Sequence, residues 1–327
     1  MSWTLRRRIL LAGSLLAVTT SRHALAQAAA WPSQPIRLVV PFAPGGTTDL
    51  VARLLAAGLQ ERLGVSVVVE NRAGAGATVG SEMVARAAPD GYTLVMSNIA
   101  SHGISPSVYR GRIRYDAVAD FAHIALVVSN PTVWVANPRA GIRTLADAAA
   151  KARGTGGLDV ATSGAGSSNH LMVVRMGQLI GTELNHIPFR GAGPAMQAVI
   201  AGQVPMMSDS LPSAANHIRQ GSVIAVAMAS ASRHPSFPDV PTFREQGFDL
   251  ASDSWFGISA PAGTPAPIVE RLNLESRAFL STPEIVARLA ELGGTPGDLT
   301  AQGYGEFVRR EVALWAPLVQ ASGATPD

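Results

Sequence analysis

Short β-rich runs alternate with longer helical patterns along most of the chain after Pro32, and this alternation restricts the fold more than any other feature. The first unit predicts strands over 36–40, 65–69 and 92–97, and helices over 49–63 and 81–87. The first helix places its apolar residues along one face: Leu50, Val51, Leu54, Leu55 and Leu59. A β-α-β-α-β order predicts a parallel sheet with helices on both of its faces.

The same alternation begins again in the second half of the chain. This unit predicts strands over 158–162, 185–189, 204–208 and 222–229, and helices over 145–152, 170–180, 194–201 and 212–219. Two further helices are predicted near 267–280 and 304–319, at the end of the chain. The sequence therefore predicts two successive α/β units rather than one.

Two β-rich stretches, 125–135 and 253–260, stand at the junctions between these units. If both cross between lobes, the first lobe is discontinuous, with residues 31–128 plus 254–327, and the second lobe is 129–253. Two strands that link two lobes form a natural hinge. The alternative is one continuous doubly wound domain, which a mature chain of nearly 300 residues makes less favourable.

The first 26 residues have the pattern of a cleaved export signal. The basic residues Arg6 to Arg8 precede an apolar run over 9–18, and Ala24-Leu25-Ala26 offers a small-residue cleavage site. A run of about 10 apolar residues is too short for a membrane anchor, which needs about 20. We therefore expect export to the periplasm, by the general route or by the twin-arginine route that Arg6-Arg7 loosely matches.

The whole chain has a net charge of +3, and this segment contributes four positive charges through its four arginines. The rest of the chain therefore has a net charge of −1. A nearly neutral mature protein gives no electrostatic reason to expect nucleic acid or an anionic membrane surface as a partner. The chain has no cysteine, which excludes disulfides, a thiolate nucleophile and cysteine-bound metal.

Residues 41–49, with the sequence PFAPGGTTD, form a glycine loop between the first strand and the first helix. Gly45 and Gly46 allow close approach of a ligand to the backbone, and the exposed N–H groups at Thr47 and beyond favour an anion. The loop lacks the lysine of a phosphate-binding P-loop, so a carboxylate is favoured over a nucleotide triphosphate. The alternative is a tight turn with an ordinary helix cap.

Other loops place polar residues where strands end. Asn98 and His102 follow the third strand, at the edge where open α/β sheets bind ligands, although His102 could equally stabilise its own loop. The loop SGAGSSN (163–169) places serines and glycines before a helix that contains His170. Asp209 ends a later strand, and either caps the following helix or accepts a hydrogen bond from a ligand.

The sequence lacks the motifs of several common kinds of cofactor binding and catalysis. The glycines at 74–80 do not have the spacing of a dinucleotide fingerprint, so no cofactor is expected. No GxSxG is present, which disfavours a serine hydrolase. The histidines are scattered without HExxH, so no metal site is expected. The chain is rich in loops that can hold an anion and poor in groups that could transform one.

Seven stretches, in the same order along the chain, resemble the periplasmic solute receptors of tripartite tricarboxylate transport systems, also called Bug receptors. They are PFAPGGTTD (41–49), VENRAGAG (69–76), APDGYTL (88–94), SGAGSSNHL (163–171), DSLP (209–212), DVPT (239–242) and PAGTP (261–265). The pair Ala43-Pro44 departs from the family, where the order is often reversed, and the match over 101–106 is loose.

The resemblance implies a two-lobed, type II periplasmic-binding-protein (Venus-flytrap) fold that closes on a small carboxylate. Its ligand is held through backbone N–H groups, hydroxyls and water, without catalysis. Carried over to this sequence, the candidate ligand-binding residues are Phe42, Gly45, Gly46, Thr47, Asp49, Asn98 and His102 in the first lobe, and Ser163, Gly166, Ser167, His170 and Asp209 in the second.

The expected function is an extracytoplasmic binding protein that delivers a di- or tricarboxylate, or a related organic acid, to a membrane transporter or to a sensor. We expect the protein itself to be a monomer. One alternative is an exported α/β enzyme that acts on the same kind of anion. A second is a receptor for an amino acid or an aromatic acid.

Overall fold

A computed structural model describes residues 31–322 of the chain, so the predicted export signal at 1–26 lies outside the described residues. The first lobe is built on three parallel strands, β1 (Ile36–Val40), β2 (Val67–Asn71) and β3 (Thr93–Asn98), in the order β2-β1-β3. A long antiparallel strand, β9 (Asp253–Pro261), continues this sheet beside β3.

The strand β4 (Phe121–Ala136) is 16 residues long and passes from one lobe into the other. Residues up to Pro131 pair with β9, whereas residues from Thr132 onward pair with strands of the second lobe. β4 and β9 are the crossing strands of the molecule. The exchange of partners falls between Pro131 and Thr132, close to the predicted lobe boundary at 128/129, which itself stays a prediction.

The second lobe contains β5 (Leu158–Thr162), β6 (Leu184–Pro188), β7 (Met206–Ser210) and β8 (Ile224–Met228). β5 lies between β6 and β7 and is parallel to both, while β7 and β8 each pair antiparallel with the end of β4. A two-residue strand, β10 (Thr295–Pro296), pairs with the first-lobe part of β4.

Ten α-helices lie among the described residues. They are α1 (Thr47–Leu63), α2 (Thr78–Ala85), α3 (Ser105–Val108), α4 (Leu145–Thr155), α5 (Ser168–Ile180), α6 (Ala192–Ala201), α7 (Leu211–Arg219), α8 (Ala266–Leu280), α9 (Pro283–Glu291) and α10 (Ala301–Ser322). A π-helix (Ile99–Ile104) precedes α3, and short 3₁₀ turns occupy Ala75–Ala77, Pro138–Ala140 and Arg244–Gln246. None of the helices in residues 31–322 is both long and apolar enough to cross a bilayer.

Helix α1 shows why these segments fold as they do. Val51, Leu55 and Leu59 recur every fourth residue and are at most 3% exposed, packed onto the sheet of the first lobe. Gly64 ends the helix in the left-handed conformation, with φ of 72°, as a glycine in this position commonly does. Leu50, expected on the buried face, is instead 40% exposed, because it lies about 100° around the helix from Val51.

Most predicted elements are present within two or three residues of their expected ends, and 36–40 and 158–162 coincide with β1 and β5. Four elements were not predicted from the sequence: α3, α9, β10 and the π-helix. β4 continues without a break through Asn130 and Pro131. Both residues pair with β9. Pro131, which cannot donate a hydrogen bond, lies where β4 stops pairing with β9 and begins to pair with strands of the second lobe.

Candidate functional site

Several helices begin at a cavity between the two lobes. Its walls enclose about 400 Å³ of empty space, counting the opening to solvent. We call it the inner cavity. It is lined by Phe42, Gly46, Thr47, Thr48, Asn98, Ile99, Ala100 and Phe256 from the first lobe and its strand β9, by Ser163, Ser167, Ser168, Asn169, Ala192, Asp209 and Ser210 from the second, and by Ser254 where β9 begins.

The N-terminal turns of three helices, α1, α5 and α6, face this cavity. Gly46 precedes α1 and Gly191 precedes α6, and neither supplies a capping side chain. The first N–H groups of a helix have no partner within it. Those of Thr47, Thr48 and Ala192 therefore stand at the wall of the cavity, where the positive ends of the helix dipoles favour a negative group.

Helix α5 differs, because Ser167 caps it. The Ser167 hydroxyl accepts a hydrogen bond from the N–H of His170 at 3.1 Å and donates to the carbonyl of Gly164 at 2.7 Å. This arrangement fixes the loop while the first two residues of α5, Ser168 and Asn169, line the cavity. In the first lobe, Asn98 plays a similar part, since its side chain accepts from the N–H groups of Ala100 and Ser101.

The inner cavity has no basic side chain in its lining, as far as residues 31–322 are concerned. Its single ionisable group is Asp209, which has no exposed surface. Burial raises the pKa of Asp209 to about 7, against the lowering effect of hydrogen bonds from Ser213 and from the Ser210 backbone. A ligand anion would thus be met by helix ends, amides and hydroxyls rather than by an ion pair.

Direct hydrogen bonds join the two lobes beside the cavity. The Thr47 hydroxyl accepts from the N–H of Ser213 at 3.1 Å and lies 3.1 Å from the Ser213 hydroxyl, so a first-lobe side chain caps α7 of the second lobe. The N–H of Ala43 donates to the carbonyl of Arg190 at 2.9 Å. The structure therefore shows the lobes in contact, with the cleft closed.

Seven of the twelve predicted site residues line the inner cavity: Phe42, Gly46, Thr47, Asn98, Ser163, Ser167 and Asp209. The other five lie outside its lining: Gly45, Asp49, His102, Gly166 and His170. Gly45 borders the closed seam opposite Gly193, and Gly166 lies against Ser105 and Tyr109 of the other lobe. Both glycines have positive φ, 89° and 73° respectively, which other residues rarely adopt.

Asp49 lies behind the loop 41–46 rather than in the cavity. Its carboxylate accepts hydrogen bonds from the Gly45 N–H at 3.1 Å, from Asn71 at 3.0 Å and from Arg53 at 3.0 Å. Asn71 in turn donates to the carbonyl of Phe42. Burial raises the pKa of Asp49, but the hydrogen bonds from Arg53, Asn71 and Gly45 outweigh it and hold that pKa below the ordinary 3.8.

We expect Asp49→Asn to destabilise the protein by about 1–3 kcal/mol, because the Gly45 N–H and the Arg53 guanidinium lose a charged acceptor. A depressed pKa in the folded state contributes stability above the ordinary value of 3.8, and this contribution is lost as pH falls through the folded-state value. Urea unfolding should therefore show a gap between wild type and variant that is full near pH 7 and narrows below about pH 4. Arg62→Gln, which removes a separate first-lobe ion pair with Glu275, is the control and should cost less than about 1 kcal/mol.

His102 is fully buried in an aromatic cluster of the first lobe. Its ring centroid lies 4.6 Å from that of Phe121 and 5.8 Å from that of His123, and its Nδ1 is 2.8 Å from the Ser101 hydroxyl. Burial, with a smaller effect of His123, holds the pKa of His102 well below its ordinary range. This histidine is thus a neutral packing residue within the π-helix, and it stabilises its own segment, which is the alternative that the sequence left open.

His170 supports the loop 163–167 from behind. Its ring stacks on that of His186 with centroids 3.8 Å apart, and its Nδ1 accepts from the Gly166 N–H at 3.3 Å. His186 lies 2.6 Å from the Thr162 hydroxyl, and burial, together with His170, lowers the pKa of His186 to about 3. We infer that this histidine pair fixes the conformation of the loop without contacting a ligand.

The sequence analysis missed nine residues of the lining: Thr48, Ile99, Ala100, Ser168, Asn169, Ala192, Ser210, Ser254 and Phe256. Most are immediate neighbours of predicted residues at helix starts, so the rule that favoured those starts would have found Thr48, Ser168 and Asn169. Ser254 and Phe256 lie on β9, which passes beneath the cavity. No local pattern distinguishes them from other strand residues.

A second space, here called the outer cavity, adjoins the first and shares Phe42 and Ser163 with it. It encloses about 1070 Å³, counting its opening to solvent. It is lined by residues 73–77, Tyr109, Gly164, Ala165, Pro188, Phe189 and Arg190 in addition to the shared pair. Arg190 is the basic residue of that lining, Phe42, Tyr109 and Phe189 are its aromatic residues, and alanine and glycine make up most of the remainder.

Comparison with known proteins gives one consistent result. Residues 51–324 match the model of the tripartite tricarboxylate transporter family receptor. Protein BugT of Bordetella pertussis is 34% identical over 319 residues, which cover 97% of this chain and 98% of BugT. A protein from the tcbD-tcbE intergenic region of Pseudomonas sp. strain P51 is 36% identical, over 96% of this chain and 94% of its own.

Solved structures agree with the fold. R. palustris Rpa4515 with adipate superposes with a TM-score of 0.87 at 32% identity, covering 91% of this chain and all of that one. MatC from Rhodopseudomonas palustris with bound malate gives 0.84 at 34% identity, covering 88% of this chain and 100% of its own. Periplasmic binding protein BugD gives 0.86 at 34% identity, covering 90% and 99%.

The prediction of a two-lobed periplasmic-binding-protein fold is confirmed by these structures. The matched family consists of solute-binding receptors rather than enzymes, and its members work in the periplasm. The family model covers far more than half of the chain, and it agrees with the motifs identified from the sequence. The chain therefore belongs to the family of tripartite tricarboxylate transporter receptors, the Bug receptors.

Proposed function

We propose that this protein captures a small organic carboxylate between its two lobes and delivers it to integral-membrane transporter subunits or to a sensor domain. The observation that carries the proposal is the convergence of three helix N-termini, two of them without a capping side chain, on a cavity to whose lining residues 31–322 contribute no basic side chain. Backbone amides at helix ends bind a carboxylate without the need for an ion pair.

The energetics require both lobes. Micromolar binding corresponds to about −8 kcal/mol. A hydrogen bond to a charged group contributes about 1.5–3 kcal/mol, while association costs at least about 4 kcal/mol. About five or six such bonds are needed, which is more than the uncapped start of α1 alone can supply. Ligand capture and closure of the lobes are therefore one event in this proposal.

A dicarboxylate fits the two connected cavities better than a monocarboxylate. One carboxylate at the helix starts of the inner cavity leaves the rest of the ligand directed past Phe42 and Ser163, which both cavities share. Arg190 in the outer cavity then offers a cation to a second carboxylate. The relatives crystallised with adipate and with malate, both dicarboxylates, support the same class of ligand.

The proposed location is the periplasm, after removal of the signal over residues 1–26, and the proposed form is a monomer. An exported enzyme on the same scaffold is the weaker candidate. His102 and Asp49, two of the groups that could have served in catalysis, are buried away from the inner cavity. Aromatic acids and amino acids remain the competing ligands, because helix-end amides recognise any carboxylate.

A thermal-shift screen against di- and tricarboxylates, aromatic acids and amino acids tests the proposal. A ligand of the folded state at 100 times its dissociation constant adds about 2.7 kcal/mol, which raises the melting temperature by roughly 5 °C in a protein of this size. We expect adipate- or malate-like dicarboxylates to give the largest rise, without product formation. Absence of a shift with every carboxylate, or turnover of one of them, would remove the proposal.

A further inference from the structure

Asp209 is the feature of the site that simple anion binding does not explain. It lies at the end of β7 with no exposed surface, and it is the ionisable residue among those that line the inner cavity. A receptor for anions gains nothing from a second negative charge placed beside the ligand. Two like charges in a cavity that excludes water repel one another strongly.

The immediate partners of Asp209 are neutral. Its Oδ1 accepts from the Ser210 N–H at 2.7 Å and its Oδ2 from the Ser213 hydroxyl at 2.6 Å. These bonds favour the ionised carboxylate, yet burial outweighs them and brings the pKa to about 7. None of the salt bridges among residues 31–322 includes Asp209, so no cation compensates for its charge.

The titratable and charged groups on the elements around Asp209, within residues 31–322, lie outside the lining of the inner cavity. On α1, Asp49 and Arg53 pair with each other. On α5, His170 stacks on His186 behind the loop. Further groups of this kind are His217 and Arg219 on α7, Arg175 on α5, Asp159 on β5, His123 on β4, Arg190 before α6 and Asp253 at the start of β9, and none of these lines the inner cavity.

In the closed structure, hydrogen bonds through Ser213 connect Asp209 to the first lobe. Thr47 reaches across the cleft to Ser213, whose hydroxyl is the hydrogen-bond donor to Asp209. The Ser213 hydroxyl also lies 2.9 Å from the Ser210 carbonyl, so its hydrogen has an alternative acceptor if Asp209 becomes neutral. The cluster can thus accept a neutral Asp209 without leaving a buried hydroxyl unsatisfied.

We propose, on the basis of the function proposed above, that Asp209 is a neutral carboxylic acid in the closed complex and donates a hydrogen bond to the ligand carboxylate. The receptor then takes up about one proton with each ligand molecule. In the open cleft the carboxyl group faces water, so its pKa is lower there than in the closed complex. The proton is taken up when the lobes close.

The sign of the pH dependence follows from this linkage. The pKa of Asp209 is higher in the complex than in the open protein, so affinity is greatest at low pH and falls as pH rises. Between the pKa of the open protein and that of the closed complex, and at pH values where the ligand itself is fully ionised, the fall approaches tenfold per pH unit. The pKa of Asp209 in the closed complex is the upper end of this pH range. Burial alone brings that pKa to about 7, and the negative charge of the ligand raises it further.

Titration calorimetry with adipate and with malate, at pH 7 to 8 in buffers of different ionisation enthalpy, counts the protons taken up on binding. Simple carboxylic acids are ionised at this pH, so the ligand contributes few protons. We expect roughly half a proton to one proton per ligand for wild type at pH 7. A wild-type complex that forms without proton uptake would overturn the inference while leaving the proposed function intact.

Asp209→Asn is the decisive variant, because asparagine has the shape of the neutral acid and can donate a hydrogen bond. We expect this variant to bind, to take up no proton, and to lose the pH dependence of affinity, so that above pH 8 it binds more tightly than wild type. Proton uptake that persists in the variant would contradict the inference. Loss of binding at every pH would also contradict it, because it would show that a charged carboxylate is required.

Asp253→Asn is the matched control. Burial also raises the pKa of Asp253, but this residue lies outside the inner cavity, so its variant should take up protons as wild type does. A failure of adipate, malate and the remaining carboxylates of the thermal-shift screen to bind is a different result. It would remove the proposed function, and this inference with it.

Discussion

A single methyl group added at Gly193 should abolish ligand capture without destabilising the free protein. Gly193 lies in the first turn of α6, and a Cβ atom built on it would stand 2.2 Å from the carbonyl oxygen of Pro44 in the opposite lobe. That neighbour is backbone, and it lies beside the hydrogen bond from the N–H of Ala43 to the carbonyl of Arg190. Neither side can move aside, so Gly193→Ala holds the lobes apart.

The free variant should unfold within about 1 kcal/mol of wild type, because alanine is the better helix former. The ligand-induced rise in melting temperature should disappear, and small-angle scattering should show the open form with and without adipate. Gly154→Ala on α4 is the control, since an added Cβ meets nothing there within 4 Å. Wild-type affinity in Gly193→Ala would show that the lobes do not approach each other in this way when ligand binds.

Gly46→Val should produce a comparable loss from the other lobe. A Cβ on Gly46 would lie 3.0 Å from the Cβ of Ala192 and 3.3 Å from its nitrogen, and the two methyl groups of valine extend further. They would occupy the space between the starts of α1 and α6. Losing two charge-assisted hydrogen bonds costs at least about 3 kcal/mol, which corresponds to an affinity lower by about 100-fold or more.

The fold of Gly46→Val should survive, because Gly46 has φ of −88° and ψ of 173°, an extended conformation that valine adopts readily. Gly46→Ala provides an intermediate step, and affinity should fall in the order glycine, alanine, valine. Calorimetry with adipate measures the affinities, and urea unfolding measures stability. If valine leaves the affinity unchanged, the loop 41–46 does not belong to the binding site.

Taken together, the glycine variants separate two requirements of the proposed function. Gly193→Ala acts at the seam between the lobes, while Gly46→Val acts at the wall of the inner cavity. Asp209→Asn, by contrast, should still allow the lobes to close on the ligand, but without the uptake of a proton. A protein in which all three variants bind adipate as wild type does would have its ligand elsewhere.

Local physics made much of the molecule predictable from the sequence. The four-residue spacing of Val51, Leu55 and Leu59 determines which face of α1 is buried, and Gly64 determines where that helix ends. The loops before α1 and α5 were recognised because glycine, serine and threonine at a helix start leave amides accessible. These features depend on neighbours within a few residues, and the family motifs depend on them as well.

Only the tertiary structure decided which polar residues belong to the cavity and which support it. Asp49, His102 and Asn98 all stand near the ends of strands in the sequence, and only Asn98 lines the cavity. Asp49 accepts hydrogen bonds from Gly45 and Asn71, and His102 packs among aromatic rings. Thr47 finds its partner in Ser213, 166 residues away, and Gly193 meets Pro44 across the cleft. Such pairings depend on how two separately built lobes dock through β4 and β9, and periodicity along one segment carries no information about that docking.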